Sequence, residues 1–175
     1  MINLTDGNQP MPGELCIFVN QPTSNDLCAG AQEISVGTCN YPFEVSNLDY
    51  NTENVPLASC GGFTVFRDAW VEFPVQANQQ VLIEYFSEDS DAVLALYDGN
   101  CGSLNELVCS GNSAGVGQEE RLIYTATADD VLYLRVMKID GAGTMTGTLC
   151  VSDLFSRDDC AAALAAPVKL QTGGL

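Results

Sequence analysis

Carboxylates are the commonest reactive groups in this chain, and they come in clusters. Glu88-Asp89-Ser90-Asp91, Asp98-Gly99-Asn100, Asp129-Asp130 and Asp158-Asp159 set acids side by side or beside other oxygen donors. Clustered carboxylates support two chemistries. They gather the oxygens of a calcium site, which takes about 6–8 of them, or they work as the paired acids of glycoside hydrolysis. No EF-hand or glycine-aspartate nonapeptide pattern organises them for calcium, and almost any acidic surface offers pairs of acids. A nucleophile motif is present as well. Gly111-Asn112-Ser113-Ala114-Gly115 has the G-x-S-x-G spacing of a nucleophile elbow. A serine nucleophile needs a histidine base, and the chain contains no histidine. The stretch therefore reads as a Gly/Ser/Asn loop. No glycine-rich loop carries a phosphate-binding lysine. The chain is expected not to be an enzyme.

Sulfur is the other reactive element. There are eight cysteines, Cys16, Cys28, Cys39, Cys60, Cys101, Cys109, Cys150 and Cys160, with no C-x-x-C pair among them. That spacing and the missing histidine argue against zinc and thiol redox chemistry. An even count in Gly-, Asn- and Ser-rich loops predicts disulfides, hence an extracellular or cell-surface location. Residues 1–6 lack the basic start and apolar core of a signal peptide, so any signal lies outside this sequence.

The elements that position these groups are strands. With 175 residues and 46% apolar content, the chain suits one domain with flanking segments. Short β-branched and aromatic runs at residues 69–75, 81–86, 92–97, 121–126, 131–136 and 144–151 are separated by turn residues. Residues 33–36 and 43–45 are weaker candidates. This spacing reads as an antiparallel β-sandwich. Residues 92–97 are apolar on both faces, as a central strand would be, and Asp98-Gly99-Asn100 should close it with a turn. Trp70 is expected in the core rather than as an exposed sugar-stacking platform. Only residues 158–166 tempt a helix. The net charge of −17 repels phosphate backbones and anionic lipid, so nucleic acid is not an expected partner. No apolar run approaches the roughly 18–20 residues of a membrane span.

One stretch occurs twice. Gly13-Glu14-Leu15-Cys16-Ile17 is matched by Gly147-Thr148-Leu149-Cys150-Val151, and Ser24 through Ala31 by Ser156 through Ala163. The chain thus reads as one period of a domain-sized repeat. Residues 1–24 form an N-terminal junction, residues 25–152 the sandwich, and residues 153–175 a second junction that begins the next repeat. Residues 14–19 match the last strand of the unit and are candidates to pair into a neighbouring sheet.

A wider set of motifs falls in a fixed order. It runs through Asn25-Asp26, Cys28-Ala29, Ser59-Cys60-Gly61-Gly62, Asp68-Ala69-Trp70-Val71 and Phe73. It continues with Ser90-Asp91-Ala92-Val93-Leu94, Leu96-Tyr97-Asp98-Gly99, Cys101-Gly102-Ser103-Leu104, Leu132-Tyr133-Leu134-Arg135-Val136 and Leu149-Cys150-Val151. Over about residues 24–152 this resembles the bacterial pre-peptidase C-terminal-like domains, in particular the cysteine-containing type repeated in secreted proteins of Bacteroidetes-like bacteria. The resemblance implies an all-β, antiparallel, jelly-roll-like β-sandwich with disulfides, outside the cell. A lone unit of that family would hold Cys28, Cys39, Cys60, Cys101, Cys109 and Cys150 as Cys101–Cys109, Cys39–Cys60 and Cys28–Cys150. Cys16 and Cys160 would then join neighbouring repeats or subunits. A rival scheme staples Cys16–Cys28 and Cys150–Cys160. In calcium-binding relatives the ligands enter before the first strand, which here implies Asn25 and Asp26, with Asp49 or Glu53 as partners.

The first functional expectation is a non-catalytic structural repeat or subunit of a fibre, adhesin or surface assembly, partnered by copies of itself and joined by strand sharing or disulfides. The second is a carbohydrate- or matrix-protein-binding appendage of a secreted enzyme, with an aromatic patch from Tyr41, Tyr50 or Tyr85.

Overall fold

The structure, a computed structural model, describes residues 24–46, 55, 57–60, 67–111, 115–139 and 143–154, together with the backbone of two short strands, β1 (Thr5–Asp6) and β2 (Gln9–Pro10), which pair with each other. The remaining strands are β3 (Gln32–Glu33), β4 (Thr38–Val45), β5 (Arg67–Val75), β6 (Gln80–Phe86), β7 (Ala92–Asn100), β8 (Ser103–Ser110), β9 (Glu119–Thr125), β10 (Asp130–Lys138) and β11 (Met145–Asp153). They form two sheets. The front sheet has four strands in the order β4-β11-β6-β9, and the back sheet five in the order β3-β5-β10-β7-β8. From β4 onward the chain changes sheet at almost every step, and both termini of that run lie side by side in the front sheet. This is the strand order of a jelly roll. Every pairing between these sandwich strands is antiparallel except the short β3–β5 pairing at the edge, which is parallel. Among the described residues no helix is long and apolar enough to cross a membrane.

Alternation along the strands builds the core between the sheets. Val71, Phe73, Leu94, Leu96, Leu134 and Val136 from the back sheet meet Phe43, Val45, Ile83, Tyr85, Leu149 and Val151 from the front. Burial of such side chains contributes about 1.5–3 kcal/mol each. Phe43 and Tyr85 meet edge to face, with ring centroids 6.3 Å apart, and the Tyr85 hydroxyl donates to the Phe43 carbonyl at 3.2 Å.

The back sheet is covered on its outer side as well. Trp70, Val93, Ala95, Tyr97 and Met137 point away from the main core and form a second cluster with Cys28 and Ala58. This explains why β7 is apolar on both faces. The cover is pinned to the sheet. The Trp70 amide donates to the Asn25 carbonyl at 2.8 Å, and the Ser59 amide donates to the Glu106 carboxylate at 3.0 Å. Under it lie Arg135 and Asp68, an ion pair with side chains 0% and 2% exposed. The guanidinium carbon sits 5.1 Å from the Trp70 ring centroid, within cation–π range.

The strand expected to end at Tyr97 runs on to Asn100, and the turn falls at Cys101-Gly102. Gly102 has φ +100°, which a glycine adopts without strain. Past it the chain returns as β8, a strand that the β-branched and aromatic pattern does not announce. The suspected helix at residues 158–166 lies outside the described residues.

Candidate functional site

Among the described residues nothing covers the outer face of the front sheet at the end of β6, and there a groove of about 400 Å³ is lined by Phe86, Glu88, Asp89, Thr146, Gly147 and Thr148. Its floor follows from strand periodicity. In β6, Val81, Ile83 and Tyr85 enter the core, so Leu82, Glu84 and Phe86 take the opposite face. Phe86 closes the strand and remains 36% exposed. Register places Thr148 directly beside it on β11. The wall comes from the segment between β6 and β7. There the Ser87 hydroxyl donates to one Asp89 oxygen at 2.6 Å, and the Thr146 hydroxyl donates to the other at 3.2 Å. Those bonds, the Ser87 one first, hold the Asp89 carboxyl below the usual carboxylate range. Asp89 is therefore an ionised acceptor at neutral pH, fixed in orientation.

Gly147 lets β11 pass over Tyr85. A Cβ at that position would lie 2.5 Å from the Tyr85 hydroxyl oxygen and closer still to the Phe86 carbonyl oxygen. Burial, then the nearby Asp89 and Glu44 charges, pushes the Tyr85 phenol up, so it stays protonated. The groove thus offers an apolar ring beside two hydroxyls and two carboxylates. Such a set suits a polyhydroxylated ligand with one apolar face.

The residues singled out from sequence fall elsewhere. Asn25 and Asp26 are 3% and 6% exposed in the cover of the back sheet, while Asp49 and Glu53 lie outside the described residues. Among the described residues no group of three or more His, Cys, Asp or Glu could hold a metal ion. Trp70 is fully buried and offers no platform to a sugar. Tyr85 is buried too, and Tyr41 donates from the half-buried edge to Gln32 at 3.1 Å. Tyr50 lies outside the described residues, as do Asn112, Ser113 and Ala114 of the elbow-like stretch. Among the described aromatics the exposed one is Phe86, one residue beyond Tyr85. Reading residues 81–86 with period two would have found it.

The six cysteines at 28, 39, 60, 101, 109 and 150 are all bonded, in a pattern that corrects both sequence schemes. The pairs are Cys28–Cys101, Cys39–Cys150 and Cys60–Cys109. Cys101 and Cys109 sit near opposite ends of β8, so they cannot reach each other. Each instead ties the β7–β8 ladder to a different part of the cover. Cys39 and Cys150 face each other across β4 and β11, which rules out Cys28–Cys150 and Cys150–Cys160. Cys16 and Cys160 lie outside the described residues.

Residues 24–151 match a family model, T9SS-associated, described as galactose binding domain-like. Among solved structures, the chain is similar to the pre-peptidase C-terminal domain of a collagenase from Bacillus anthracis. Identity there is 18%, coverage is 70% of this chain and 94% of that one, and the TM-score is 0.46. It is also similar to the C-terminal CBM6 of LamC, a marine laminarinase from Zobellia galactanivorans, at 12% identity, 63% and 98% coverage and a TM-score of 0.27. No curated protein matches the chain in sequence.

Proposed function

Since the chain belongs to this T9SS-associated, galactose binding domain-like family, we propose that it is a secreted, non-catalytic domain that binds carbohydrate in the Phe86 groove. The observation that carries the reading is Phe86 itself, a large aromatic left on the open face of a sheet, with Thr146, Thr148, Glu88 and Asp89 around it. A pyranose ring has one face of C–H groups and a rim of hydroxyls. The face packs on the Phe86 ring. The hydroxyls donate to the Asp89 and Glu88 carboxylates and exchange hydrogen bonds with the two threonines. The net charge of −17 favours a neutral or cationic glycan over a sulfated one.

Three disulfides and the T9SS-associated family support a place outside the cell. The open groove suits holding a sugar better than cleaving a glycosidic bond, since Glu88 and Asp89 are sequence neighbours on one wall and do not flank a ligand from two sides as the paired acids of a glycosidase do. Titration of the protein against galactose-containing and β-glucan oligosaccharides tests the reading. Saturable binding to one class, lost in Phe86→Ala while the melting temperature holds, is the expected result. Absence of binding to every neutral glycan on an array would sink it.

A further inference from the structure

We propose that residues 13–17 are a second copy of β11, shaped to complete the front sheet of a preceding unit of this same fold. The position of β11 makes specific demands. It is an interior strand, bonded to β4 on one side and β6 on the other. Position 147 must be glycine, because a Cβ would meet the Tyr85 ring and the Phe86 carbonyl. Positions 149 and 151 are 0% exposed and face the main core. Position 150 is bonded to Cys39, and position 148 is exposed. The sequence Gly13-Glu14-Leu15-Cys16-Ile17 answers each demand in order: glycine over the tyrosine, a polar residue outside, a cysteine at the bond, and Leu and Ile in the core.

The other doubled stretch fails the same test. Residues 156–163 would put Arg157 at the place of Asn25, which is 3% exposed. They would also put Ala162 at the place of Gly30, where a Cβ would overlap the Ser24 carbonyl oxygen. Only the N-terminal stretch has residue types that meet every demand of the position it matches. The domain already holds its own β11, so the matching slot belongs to another copy. The partner is a preceding unit of this fold, and Cys16 bonds to that unit's counterpart of Cys39. Cys16 is then an internal bond of the neighbour rather than a bridge between finished units. The inference stands apart from the carbohydrate reading.

A chain in which an added copy of residues 24–146 runs directly into residues 13–175 tests it. Peptide mapping without reduction should find Cys16 bonded to the added copy's Cys39, with both copies folded. Gly13→Val in that chain should abolish this bond and unfold the added copy, leaving the three downstream disulfides in place. Cys16 bonded elsewhere or left free, or a bond indifferent to Gly13→Val, overturns the proposal. A single-unit readout is independent of the fusion. Thr148→Glu with Val151→Ile gives β11 the sequence of residues 13–17, and should keep the Cys39–Cys150 bond and the wild-type melting temperature. Loss of either overturns the proposal.

Discussion

Asp68 and Arg135 form an ion pair on the outer face of the back sheet, sealed from solvent by the cover and stacked against Trp70. Such a pair is expensive to break and cheap to replace, because removing one partner strands a buried charge. Asp68→Ala should therefore cost about 3–5 kcal/mol in urea unfolding. Replacing both residues with apolar side chains of similar volume should cost much less. Equal losses in the single and double variants would show that the charge pairing is not what matters.

Phe86→Ala removes an exposed ring and leaves the core intact. Binding to the preferred oligosaccharide should fall by more than about tenfold, equivalent to about 1.4 kcal/mol, with little change in melting temperature. Tyr85→Phe, which loses only the buried bond to the Phe43 carbonyl, should do the reverse. It should lower stability by about 1 kcal/mol and leave affinity unchanged. Calorimetric titration and thermal melts separate the two.

The acid limb of binding and stability follows Asp89. Its folded carboxyl titrates below its unfolded value. Its contribution is present above the unfolded value and is lost as pH falls through the lower folded one. Ser87→Ala removes the hydrogen bond that does most to lower it. The loss of binding on acidification should then begin at higher pH, as NMR titration of the Asp89 side chain would record.

Gly147→Ala forces a Cβ against the Tyr85 ring and the Phe86 carbonyl. Overpacking of this kind should destabilise by about 1–3 kcal/mol. Pairing it with Tyr85→Leu should recover part of the loss. A double variant no better than Gly147→Ala alone would place the clash with the backbone instead.

Cys28→Ala with Cys101→Ala opens a bond between residues 73 apart in sequence. It should cost about 2–5 kcal/mol and loosen the cover over Trp70. Quenching of Trp70 fluorescence by acrylamide should rise. No rise would mean that Cys60–Cys109, the Asn25 backbone bond and the Ser59–Glu106 bonds suffice to hold the cover.

Strands were the most legible part of the sequence, because β-branched runs with period two announce themselves locally. The strand β8 escaped, since Ser103-Leu104-Asn105-Glu106 is polar and its neighbour Asp98-Gly99-Asn100 imitates a turn. The bonded cysteines were legible as a group and their partners were not. Pairing depends on which strands lie together, and Cys39 meets Cys150 only because a jelly roll brings its first and last long strands into one sheet. Phe86 was legible, since Glu84 marks the outer face of β6 and alternation puts Phe86 on that face and Tyr85 on the other; what the sequence lacked was the β11 neighbour that completes the groove.

That closing bond has a mechanical meaning. Cys39 lies shortly after the chain enters the domain and Cys150 shortly before it leaves, 111 residues later. Tension applied at Ser24 and Leu154 would travel along the backbone to Cys39, cross the sulfurs to Cys150 and leave. The groove and nearly all of both sheets sit in a loop that carries no load. The oxidised domain would transmit a pull as a short, nearly inextensible link while Phe86 kept its surroundings, and a reducing environment would turn that link into a long tether.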